Sequence, residues 1–158
     1  MAGKFVAALI GGAAGAVTVT GLHQILKRVT PHAPRMDNLA KQGLRKAIQA
    51  TGSTPPSDDK LQWTSLAGDL AANTAYYSVS LAFGPGPAKW LGPLLGAGAG
   101  VGSVALPGPL GLNAGETNRT ETTKILAFGL YLAGGIAATA TYRAILNGDG
   151  NTATDQLS

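Results

Sequence analysis

Four stretches of the chain are apolar and nearly free of charge, and polar segments separate them. No Asp, Glu, Lys or Arg lies between Phe5 and Leu26. As a helix that stretch would be about 33 Å long, against a bilayer core of about 30 Å. A second stretch, 63–83, carries one charge, Asp69. A third, 90–112, is rich in Gly and Pro, and its regular part is predicted to stop near Leu106, ahead of Pro107 and Pro109. The fourth, 125–146, is apolar until Tyr142 and Arg143, whose polar ends can reach an interface. The expected fold class is therefore all-α: one integral membrane domain of four transmembrane helices, with a flexible tail at 147–158. Lys4 ahead of the first stretch also suits a signal peptide, but Lys27 and Arg28 put the heavier positive flank on the other side.

Between the first two spans the period changes. Met36, Leu39, Ala40, Gly43, Leu44, Ala47 and Ile48 follow helical spacing, which predicts an amphipathic helix over 36–51. Lys41, Arg45 and Lys46 lie off that stripe, as in a helix resting on anionic headgroups. The competing expectation is that the stripe packs on the end of the bundle itself. Gly52 to Lys60, with Pro55-Pro56 and Asp58-Asp59, is expected to be a solvated loop.

Composition strengthens the membrane reading. Only 13% of the 158 residues are charged, about half the share of a soluble domain, and 23 Gly dilute the mean hydropathy to +0.15. The net charge of +4 does not indicate nucleic acid, because most of the Lys and Arg are pinned beside apolar spans, where lipid is the nearer partner. Those charges also set an orientation. The first and third loops hold Lys27, Arg28, Arg35, Lys41, Arg45, Lys46, Lys60, Arg119 and Lys124, whereas the opposite side has only Lys4, Lys89 and Arg143. The positive-inside rule then puts those loops in the cytoplasm and both termini outside.

Small residues recur at helical spacing: Gly11 and Gly15; Gly92, Gly96 and Gly100, with Gly98 and Gly102; and Gly129 with Ala133 and Ala137. In lipid such faces let helices approach closely, within this chain, in a homo-oligomer or against another membrane protein. The run from Gly96 to Gly102 has neither the spacing nor the Lys of a phosphate-binding loop.

Chemistry concentrates at Asp69, an acid two turns inside a span, where charge is costly and usually functional. Asn73, Tyr76 and Ser80 continue its face, and His23 and the unwound Pro107 to Leu112 segment are expected at similar depth. The cluster suits either a polar contact between helices or a hydrated proton or cation site. With no Cys, two His, and only scattered Asp37, Asp58, Asp59, Glu116 and Glu121 in the loops, no catalytic constellation, metal centre or cofactor site is expected. His32 is expected in an exposed loop, and the Asn118-Arg119-Thr120 sequon falls on the cytoplasmic side.

The stretch from His23 to Asp37, ending Pro31-His32-Ala33-Pro34-Arg35-Met36-Asp37, resembles a group of small uncharacterised bacterial membrane proteins in which a Gly/Ala-rich first span runs into such a turn. The resemblance implies a bacterial inner membrane and no activity. The expected function is a non-enzymatic accessory or scaffold subunit, or a homo-oligomer. The alternative is a small transporter or proton-coupled channel using Asp69 and His23.

Overall fold

Helices start and stop where the sequence changes its chemistry. The computed structural model describes the backbone of residues 2–155 and side chains from 3 to 148. Among the described residues there are six helices and no strand: α1 (Ala2–Val29), α2 (Met36–Ala50), α3 (Asp58–Leu81), α4 (Pro85–Ala105), α5 (Gly115–Asn118) and α6 (Glu121–Asp155). Asp58 and Asp59 form the first turn of α3, where the helix dipole favours acids, so the expected loop ends at Ser57 rather than Lys60. A tight turn at Gly84, with φ of 93°, leads into Pro85 at the start of α4. That helix ends at Ala105, and the prolines after it enforce turns through Leu112. The short α5 in the third loop was not anticipated. The fourth apolar stretch gains a turn at its start, and its backbone stays helical to Asp155 rather than leaving the helix at Leu146; 156–158 lie outside the described residues.

The four long helices form a ring in which α1 neighbours α3 and α6, and α4 neighbours α6 and, more loosely, α3. α2 and α5 lie across the end where α1 finishes. By length and composition, two helices can cross a membrane, Gly3–Val29 of α1 and Glu121–Gly148 of α6. The segments 63–83 and 90–112 fall short in hydropathy, not in length: α3 includes its charged first turn and many Ser, Thr and Asn, and α4 is diluted by glycine.

A few bulky side chains, Leu61, Tyr77, Leu81 and Tyr142, are buried among small residues, while many other bulky apolar side chains face outward. Ala7, Ala8, Ala16, Ala88, Ala127 and Ala138 fill the interior beside Ser65, Asn73, Ser80, Thr117, Thr123 and Thr139. Phe5, Ile10, Val17, Val79, Leu94, Val101, Ile125 and Ile136 face outward, with Trp63 and Trp90 72% and 71% exposed. Hydroxyl groups bonded to carbonyls of neighbouring helices hold the interior: Ser78 Oγ to Ala8 O (3.1 Å), Tyr77 Oη to Tyr131 O (2.8 Å) and Thr139 Oγ1 to Ala88 O (3.1 Å).

Most of the glycine ladder is spent inside this one chain. A Cβ on Gly11 would lie 2.8 Å from Ala138 O, on Gly15 2.7 Å from Gly134 O, on Gly96 2.6 Å from Tyr131 O and on Gly100 2.8 Å from Phe128 Cα; one on Gly92 would meet Gly135 O at 2.8 Å. α1 and α4 thus press on opposite sides of α6, whose own Gly134 and Gly135, unremarked in the sequence, complete the contacts. Gly129 is different: nothing lies within 4 Å of its Cβ position, which faces outward. Gly98 and Gly102 also stand apart, with nearest neighbours at 3.8 and 3.4 Å. They leave room between α3 and α4.

Candidate functional site

Asp69 sits where three cavities meet. The first, about 30 Å³, lies between α1, α2 and α3 and is bordered by Thr20, His23, Asp37, Gln62, Ser65 and Asp69. Its volume admits a water-sized guest, and its walls mix these polar groups with Met36, Ala40 and Leu66. Thr20 Oγ1 and Asp37 Oδ1 are both buried without a hydrogen-bond partner among the described residues, and both belong to this wall.

The other two cavities, about 480 and 220 Å³, form one groove on the far side of α3, since Asp69, Gly102, Ser103, Leu106 and Tyr131 border both. The larger part runs up between α3 and α4 past Asn73, Tyr76 and Gly98. The smaller runs down beneath Met36 and Leu39 to Pro107, Leu110 and Leu112, so the unwound end of the third stretch does lie beside Asp69. The groove exists because Gly98 and Gly102 present no side chain there.

His23 is 6% exposed, and its Nε2 lies 2.8 Å from Pro34 O. A carbonyl only accepts, so Nε2 carries the proton. The imidazole borders the same cavity as Asp69 and Asp37. The Pro34 carbonyl explains the turn in the sequence: the segment from Thr30 to Arg35 folds back over α1 to orient this ring.

The polar stripe on α3 divides. Asp69, Asn73 and Tyr76 share the groove, Asn73 donating to Asp69 O (3.0 Å) and Tyr76 reaching across to Leu95 O (2.9 Å). Ser80 leaves it: 1% exposed, it bonds Tyr77 O of its own helix (2.7 Å). Sequence reasoning missed Tyr131, which borders the groove, because an aromatic in an apolar run carries no signal of what it faces. It also missed Asp37 as a member of the site.

Asp37 is fixed by Lys27, whose Nζ donates to Oδ2 at 2.6 Å. Burial works against its charge, but the hydrogen bond and the positive charge of Lys27 prevail, holding the carboxyl below its ordinary value. A depressed folded-state pKa means the Lys27 to Asp37 tie is fully present above the ordinary carboxylate range and is lost as pH falls through the lower folded value. Acidification through that window should loosen α2 from the end of α1, and Asp37→Asn should abolish the acid sensitivity. Protease cleavage at the 30–35 connection as a function of pH measures both.

The three basic residues of α2 engage the chain itself. Arg45 pairs with Asp58 at 2.7 Å, Lys41 lies 3.7 Å from the same carboxylate, and Lys46 donates to Leu110 O at 3.2 Å. The stripe of Met36, Leu39, Ala40, Gly43, Leu44 and Ile48 is half-buried against the bundle, while Ala47 is exposed. Part of the α2 stripe is thus covered by the bundle's own end, with α3 and α5 as its neighbours. Asp58, expected to be only solvated, is exposed yet paired, and His32 is exposed with Nδ1 3.4 Å from Thr120 Oγ1.

Among the described residues no group of three or more His, Asp or Glu is placed to hold a metal ion. No protein-family model, curated protein or solved structure matches the chain.

Proposed function

We propose that this chain is a four-span, non-enzymatic protein of the bacterial inner membrane, with the first and third loops in the cytoplasm, and that Asp69 and His23 form a proton or small-cation site used in transport. The observation that carries the reading is the position of Asp69. This one acid borders a small cavity lined by His23 on one side of α3 and a long groove on the other. A group that exchanges a proton there is in contact with both spaces, which a purely structural polar contact does not require.

The span number is supported by outward-facing bulky residues on all four long helices and by their lengths, about 31 Å for α4 and about 36 Å for α3. The orientation rests on the basic residues gathered around α2, α5 and the end of α1. Single cysteines introduced at Ser57 and Gly86 of this Cys-free chain should label from opposite sides of intact cells. Equal labelling of both from outside would overturn that topology.

The test of function is proton or cation flux in liposomes containing the purified protein. Flux above protein-free liposomes across a range of pH and cations is expected; none at all would remove the transport reading. A second reading, an accessory subunit or homo-oligomer, keeps one specific support: Gly129 leaves an open, small-residue position on the outer face of α6. Gly129→Leu should then reduce association with a partner or second copy while the monomer stays folded.

A further inference from the structure

A separate polar cavity of about 310 Å³ lies at the basic end, between the end of α1, the 30–35 turn and the α5 region. Three cations border it, Lys27, Arg35 and Arg119, with Asp37 the one acid on its wall. That acid is committed to Lys27 at 2.6 Å.

Neither guanidinium group pairs with a carboxylate among the described residues. Arg119 donates to Pro31 O (2.8 Å), Ala33 O (2.5 Å) and Glu116 O (3.4 Å), which fixes its plane without neutralising its charge. Arg35 has an exposed side chain and no ion pair among the described residues, while its backbone N–H is held by Glu116 O at 2.8 Å. A rigid guanidinium, a second one on the same wall and the Thr30 hydroxyl offer donors to the oxygens of a phosphate, while the Asn38 amide is engaged with Glu116 Oε2 at 3.3 Å.

We infer that this cavity binds a phosphate group, that of an anionic phospholipid headgroup. On the four-span reading the end of α1, marked by Lys27 and Arg28, lies at headgroup level, which is where such a group would be presented. The chemistry alone serves a free phosphate equally, so the source has to be separated by experiment. The site is distinct from Lys41, Arg45 and Lys46, whose partners lie within the chain.

The measurement is lipid retention by the full-length protein in native mass spectrometry, with phosphatidylglycerol and phosphatidylcholine offered in parallel and inorganic phosphate as competitor. One phosphatidylglycerol per chain, retained in preference to phosphatidylcholine and weakened about tenfold by Arg35→Gln, is expected. Arg35→Lys should recover part of the loss, whereas Lys46→Gln should change nothing. Arg119→Gln tests the second guanidinium, with Arg119→Lys and the thermal melting of both variants separating lost binding from lost turn structure. Displacement of the lipid by millimolar phosphate would support the pocket and assign it to the free anion. Equal retention of the two lipids, insensitive to Arg35→Gln and to phosphate, would overturn the inference. These results do not involve flux, so failure here and failure of the Asp69 reading are independent.

Discussion

Asp69→Asn is expected to leave the bundle folded and to lower proton or cation flux by about two orders of magnitude, the scale of a lost proton-transfer group. The substitution keeps the size of the side chain and its capacity for hydrogen bonds, so the contacts bordering the cavity and the groove survive. What it removes is a group that can release a proton. His23→Gln should act in the same direction, because a Gln amide can still donate to the Pro34 carbonyl but cannot titrate as the imidazole does. Gly98→Val supplies a variant that leaves both titrating groups untouched: its Cβ meets nothing nearer than Tyr76 Oη at 3.8 Å, so it fills the groove without forcing the helices apart. A flux unchanged in Asp69→Asn and His23→Gln would show that transport does not pass through this site. A flux lost in those two and unchanged in Gly98→Val would confine it to the small cavity.

The second large effect concerns packing. Gly96→Val should destabilise the protein by about 3 kcal/mol or more, since even the first added carbon would stand 2.6 Å from Tyr131 O and 3.0 Å from Leu132 Cα, both backbone atoms that cannot swing aside. Gly15→Ala meets Gly134 O at 2.7 Å and should cost about 1–3 kcal/mol by the same mechanism. Gly129→Ala is the contrast. It enters open space on a helix and should be neutral or stabilise by up to about 1 kcal/mol, because alanine loses less backbone freedom than glycine. Unfolding of the three variants in mixed micelles, followed by circular dichroism, gives the comparison; equal losses at Gly96 and Gly129 would contradict the asymmetry of α6.

Much of the architecture could be read from periodicity. Helical spacing located α2 to within a residue, and Pro107 with Pro109 set the end of α4, because each proline removes a backbone donor regardless of what surrounds it. Asp69, Asn73 and Tyr76 could be placed together because i, i+4, i+7 spacing fixes one face. The partner of that face could not. Gly96, Gly98, Gly100 and Gly102 look alike in the sequence, yet Gly96 and Gly100 press on α6 while Gly98 and Gly102 open the groove; only the azimuth of α4 in the ring distinguishes them. Asp37 was legible as an acid in the first turn of α2 and nothing more. Its place beside His23 depends on the 30–35 turn folding back, a non-local event. Lys41, Arg45 and Lys46 read as a lipid-facing patch because spacing shows that charges share a side and does not show that Asp58 and the Leu110 carbonyl are waiting there.

The uneven hydropathy of the four long helices has a consequence for biogenesis. On the four-span reading, α1 and α6 are the more apolar helices and α3 and α4 the less apolar ones. The short turn at Gly84 makes the middle pair a helical hairpin, able to enter together and to shelter part of its polar surface as it does so. Synthesis delivers α1 first, and its Ala8 carbonyl is the acceptor for Ser78 of the incoming hairpin. The face of α4 that carries Gly92, Gly96 and Gly100 has no partner until α6 emerges at the end of translation. A ribosome stalled before Glu121 would therefore leave a three-helix intermediate with that glycine face bare to lipid, an obvious point of entry for quality-control proteases and membrane chaperones.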